Sequence, residues 1–94
     1  SSNSIPANAV IKSVTTIIGT AYDTGAIQLI VDGTADLEIQ ATTENEPTVA
    51  NVYESRPFST VQANEAGVVR AVVTGSPSSG ASVVIVEYVE AFLA

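Results

Sequence analysis

The side chains able to carry chemistry in this 94-residue chain are hydroxyls and carboxylates. Serine and threonine are abundant, but a hydroxyl becomes a nucleophile only beside a positioned base. The sequence holds no histidine and no cysteine, so a Ser-His-Asp or Cys-His arrangement is excluded. Lys12 is the only lysine and lies within a β-branched run. That is the setting of a solvent-facing charge on a strand, not of a buried catalytic amine.

Paired carboxylates are the remaining catalytic candidates. Asp32 and Asp36 flank a turn, and Glu44 and Glu46 flank a loop. Two carboxylates can cleave a glycosidic bond, but such sites usually add aromatic platforms for the sugar, and this chain has three tyrosines and two phenylalanines in all. The segment Asp32-Gly33-Thr34-Ala35-Asp36 also places oxygen ligands near a turn. Calcium would need several more, from Asp23 or Glu44 if the fold brings them close; the other reading is a solvated acidic face. Zinc sites are built from Cys and His. The six glycines are isolated at turn positions, with none of the spacing that cradles a phosphate ahead of a helix. The expectation is therefore no enzyme, no catalytic, metal or cofactor-binding residue, and no cofactor.

The elements that would position any site read as strands. Val10 to Ile18 is β-branched almost throughout, which favours extension over helix. Gly19 to Gly25 reads as a turn or irregular crossing. Ile27, Leu29 and Val31 alternate with Gln28 and Ile30, and Asp32-Gly33 is a strong turn pair. Beyond it Ala35, Leu37, Ile39 and Ala41 alternate with Asp36, Glu38, Gln40 and Thr42. Period two puts Asp36, Glu38 and Gln40 on one exposed side. Thr43 to Pro47 is a loop by composition, Thr48 to Tyr53 a strand broken by Arg56-Pro57, and Phe58 to Val61 a further short piece. Asn64 to Gly67 is a turn, Val68 to Thr74 a strand, Gly75 to Gly80 a loop, and Ser82 to Tyr88 or beyond the last strand. About seven strands with regular turn signals predict an all-β, single antiparallel β-sandwich, jelly-roll-like. Residues 9–94 form that domain. Residues 1–8, small, polar and stiffened by Pro6, form an extended N-terminal arm, either a frayed end or a tether to a neighbour. The arm lacks the basic and apolar regions of a signal peptide.

Composition limits the partners. Ten carboxylates against three bases give a formal net charge of −7. Phosphate contacts need Lys and Arg, so no nucleic acid is expected, and the same charge disfavours anionic membrane surfaces. The longest apolar run is too short to span a bilayer and is broken by Glu87 and Glu90.

The hydrophobic fraction is 46%, while a body this small hides only about 60–65% of its unfolded surface. Without disulfides, oligomerisation or docking on a larger assembly is the route left to hide the excess. The last strand shows the excess directly. Val83, Ile85 and Val89 lie on one side and Val84, Val86, Tyr88 and Phe92 on the other, so it is covered on both faces, by the chain's own loops or by a partner. Arg70 alternates with Val69 and Ala71 and is expected to face outward beside Val68 and Val72, as an interface rim or a plain surface ion pair. The interface candidates are Ile5, Arg70, Val84, Val86, Tyr88 and Phe92.

Two runs carry a family resemblance. Gly33-Thr34-Ala35-Asp36-Leu37-Glu38-Ile39-Gln40-Ala41-Thr42-Thr43-Glu44 is similar to the early hairpin of small β-sandwich virion proteins of tailed bacteriophages. Ala66 to Gly75 followed by Ser79-Gly80-Ala81-Ser82-Val83-Val84-Ile85 resembles their closing hairpin, in which an Arg-bearing strand is followed by a Ser/Gly loop and a Val-rich strand. The likeness spans roughly residues 19–90 and lacks the Trp those domains often carry between the hairpins. It implies a capsid decoration, or cement, protein on the surface of the virion head. Such a protein is a homo-oligomer, a trimer above other states, that bridges the major capsid protein or another virion protein and stabilises the shell. The alternative is a carbohydrate- or surface-binding module of a tail fibre, baseplate or adhesin, acting through the polar loops at Asp23-Thr24, Glu44-Asn45-Glu46 and Ser76 to Ser79.

Overall fold

The computed structural model describes residues 4–33, 36–60 and 66–90. It is an all-β sandwich of two antiparallel sheets, with no α-helix among the described residues. The strands are β1 (Ser4–Ile5), β2 (Val10–Thr20), β3 (Ala26–Asp32), β4 (Leu37–Gln40), β5 (Asn51–Ser55), β6 (Ser59–Thr60), β7 (Gly67–Thr74) and β8 (Ala81–Val89). The first sheet has the order β1-β7-β3-β4. In the second, β2 is central. β8 runs along one of its edges, while β5 and β6 share the other, against Val14–Ile18 and against Val10 and Ile11 respectively. With β5 and β6 taken as one interrupted edge, seven strand positions result, as the turn spacing predicts.

The core follows from alternation in the two longest central strands. Ile11, Val14 and Ile18 of β2 face Ile27, Leu29 and Val31 of β3, and Ile39 of β4 closes the cluster. Each fully buried aliphatic side chain of this kind contributes about 1.5–3 kcal/mol. Ile30 is also buried although it points to the opposite side of β3. Its cross-strand neighbours are Arg70 and Glu38, and an arginine stem can shield an apolar side chain while its charge stays wet.

Three expectations are corrected by the structure. Gln40 does not join Asp36 and Glu38 on a wet face: a register shift between Leu29 and Ile30 breaks the alternation of the hairpin, and Gln40 is 0% exposed. Of the amino-terminal segment expected as a frayed end or a tether, the described part, from Ser4 on, is tied to the sandwich. Ser4 and Ile5 pair with Val68 and Gly67 of β7, and Ile5, at 5% exposure, belongs to the core. The strand expected from Thr48 begins at Asn51, because Thr48 and Val49 are drawn into a turn by their bonds to Glu46.

The two flanks of the sandwich differ. On the β4 flank, Gln40 of the first sheet reaches the backbone and side chains of β2 and β5 in the second. That flank is closed by hydrogen bonds. The other flank carries β7, covered only at its start by the two-residue β1, and β8, which pairs with β2 alone among the described residues.

Candidate functional site

Four of the exposed large apolar side chains, Val52, Val83, Ile85 and Val89, share the outer face of the second sheet, while Val49, Phe58, Val68, Val73 and Tyr88 lie elsewhere. In strand register, Val83 of β8 lies opposite Ile17 of β2, which lies opposite Val52 of β5. Directly paired residues point to the same side of a sheet, so these three form one row. Val83 is 59% and Val52 58% exposed. The next row on the same face runs from Ile85, 48% exposed, through Thr15 to Glu54. A half-wet sheet should show polar residues on this side, yet one row is wholly aliphatic. Beyond them Glu87 accepts a 2.7 Å hydrogen bond from the Ser13 hydroxyl. Lys12 falls in the register shift between Ile11 and Ser13 and is exposed. Arg56, at the margin of β5, pairs with Glu54 at 3.3 Å.

The interface candidates are distributed differently from a single patch. The alternation of β8 divides its residues as the sequence predicts, but the more exposed set is Val83, Ile85 and Val89. Val84 and Val86 turn inward and pack, half-buried, against the core. Tyr88 lies at the open end of that inward row, opposite buried Ile11 and 39% exposed. Ile5 is consumed by the chain's own core. Phe92 lies outside the described residues. Arg70 does face outward, opposite Ile30, and its guanidinium sits 3.6 Å from Asp32 and 3.9 Å from Asp36. The turn carboxylates weighed as a calcium site are thus gathered around an arginine. Among the described residues no group of three or more carboxylates is placed to hold a metal ion.

The residues missing from the sequence reading are Ile17 and Val52. Thr15-Thr16-Ile17-Ile18 carries a β-branched residue at every position, which signals a strand but hides which side is core. Only the register shows that Ile17 faces out and that a valine flanks it on both sides.

A second concentration of polar groups sits where the β2–β3 turn meets the β7–β8 loop. Asp23 accepts hydrogen bonds from the Ser78 amide at 2.9 Å, the Ser78 hydroxyl at 2.7 Å and the Ser79 amide at 3.4 Å. The Ser78 hydroxyl, followed by its amide, holds the Asp23 carboxyl below its ordinary value. Beside this clasp the Tyr22 and Ser82 hydroxyls are 2.9 Å apart, and the Tyr22 ring lies against Gly80. Two of the polar loops expected to reach a ligand therefore bind each other.

No helix among the described residues is long and apolar enough to cross a membrane. Comparison with protein-family models, with curated proteins and with solved structures returned no match.

Proposed function

We propose that this chain is a non-catalytic structural protein of the capsid decoration type, a homo-oligomeric β-sandwich that seats on the outside of a virion head and braces its shell. The observation that carries the reading is the aliphatic row Val83–Ile17–Val52 on the outer face of the second sheet. A monomeric body this small gains nothing from exposing such a row, whereas a docking protein does. The acidic balance of the chain is compatible with it, since a net charge of −7 favours solubility before attachment. Many copies on one particle give avidity, so each contact can be weak.

The binding-module reading draws on the polar loop end. There the Asp23 carboxylate is already engaged by Ser78 and Ser79, while the aliphatic row has no such occupant among the described residues, and the docking reading is preferred for that reason.

The experiment is attachment of the purified chain to its shell, read by cosedimentation and by cryo-EM of decorated particles. Val52→Asp should leave the fold intact, because Val52 is more than half exposed, and should abolish attachment. Undiminished decoration by Val52→Asp, or binding of the chain to a glycan array, would overturn the docking reading.

A further inference from the structure

β8 is a nine-residue strand at the edge of its sheet. Natural edges are blunted by shortness, lysine, proline or a covering segment. β8 contains no lysine, arginine or proline; its one charge is Glu87. Among the described residues nothing pairs with its outer edge.

We infer that this edge is completed by β8 of a second copy, antiparallel about a two-fold axis at Ile85. The proposal rests on the self-associating part of the reading above and names the edge that does it. Three features favour a second copy as the occupant. First, the strand is compatible with itself in this register. Ile85 meets Ile85 of the second copy, Glu87 meets Val83, Ser82 meets Tyr88 and Ala81 meets Val89, so no like charges oppose each other and small residues face large ones. A register centred on Glu87 would set two carboxylates opposite each other. Second, pairing about Ile85 keeps outward residues with outward ones. Val84 and Val86, half-buried at the open flank, then cover each other across the axis, while Val83 and Ile85 extend one continuous outer face. Third, Glu38, Glu44 and Glu46 belong to β4 and the segment that follows it, on the flank far from β8, and the one acid of β8, Glu87, lies opposite Val83 of the second copy, while the Asp23 carboxylate beside the β7–β8 loop is engaged by Ser78 and Ser79. The pairing engages the nine residues of β8, and Ala71 and Val73 of β7, exposed on the same flank, border it.

The chain has no cysteine, which makes the register readable by cross-linking. Directly opposed residues of an antiparallel pair have Cα atoms about 4.5–5.5 Å apart, within disulfide range. Under oxidation with diamide, Ile85→Cys should convert to a covalent dimer. Val83→Cys, whose copies would be about 13 Å apart along the strands, should remain a free thiol, and native mass spectrometry of the unsubstituted chain should show a dimer. Equal cross-linking of both variants would overturn the pairing. A trimer or other oligomer in which Ile85→Cys does not cross-link would overturn the β8 pairing and leave self-association standing. A monomer at every concentration would overturn both.

Discussion

The Thr16 hydroxyl donates a 2.7 Å hydrogen bond to Oε1 of Gln40, and with it the two sheets are joined at a point where neither residue is exposed to water. Gln40 Nε2 continues the bridge to the Ser55 hydroxyl at 3.0 Å and to the Val14 and Tyr53 carbonyls at 3.4 Å. Asn45 adds a 2.9 Å bond to the same Oε1 while holding the Ile27 carbonyl. Replacing Gln40 with Leu keeps the volume but strands the Thr16 and Ser55 hydroxyls in the interior. An unpaired buried polar group costs about 1–3 kcal/mol, so Gln40→Leu should lower unfolding stability by at least about 2 kcal/mol in urea. A variant as stable as the parent would show that the bridge adds nothing to the closed flank.

The Ile5 side chain sits in the core although it comes from a two-residue strand. Truncating a buried isoleucine to alanine costs about 2–5 kcal/mol. Ile5→Ala should therefore lower the melting temperature of the whole domain, whereas a free tether would tolerate the change. Thermal denaturation followed by circular dichroism distinguishes the two.

Acid should loosen the loop end. The Asp23 carboxyl titrates below its ordinary value because Ser78 and Ser79 hydrogen-bond its charged form. A lowered carboxyl contributes stability that is fully present above the unfolded-state value and is lost as pH falls through the folded-state value. The effect thus belongs to the region from pH 3.8 downward. The protection factor of the Ser78 amide, its intrinsic over its observed exchange rate, should fall there, and Asp23→Asn should show low protection at neutral pH already. Equal Ser78 protection in the parent and in Asp23→Asn would discount the clasp.

Gly80 has a φ of +127°, and a Cβ built there would lie 2.4 Å from the Tyr22 ring. An L side chain is strained in that region of backbone space and also collides. Gly80→Ala should destabilise by more than about 1 kcal/mol and weaken the Tyr22–Ser82 contact, seen as a changed tyrosine environment in near-ultraviolet circular dichroism. Gly19→Ala, where no atom lies within 4 Å, serves as the control and should be close to neutral.

Much of the sandwich was legible because its signals are local. The β-branched run of β2 and the Gly/Pro/Ser loop before β8 depend on residues adjacent in sequence, and both elements lie where those signals put them. Gln40 faces inward against its period because one register shift in a hairpin reverses which residues face the core. The candidate surface was half legible. The double-sided apolar pattern of β8 announces a surplus but not that Val83, Ile85 and Val89 form the more exposed set, because a strand with Val or Ile on both faces does not state which one meets the other sheet. Ile17 and Val52 become neighbours only through pairing across 35 residues of chain.

The sequence by itself determined that the chain is built of strands, that it lacks the side chains of the common catalytic sites, and that its apolar content is high for its size. These follow from residue types and their period, which do not depend on distant contacts. Tertiary structure alone decided that Ile5 and Gln40 belong to the interior, that Arg70 gathers the turn acids, and that Val83, Ile17 and Val52 stand in one exposed row. Each of those facts depends on which strands become neighbours and in what register, and hydrogen-bond pairing settles that between segments far apart in the chain.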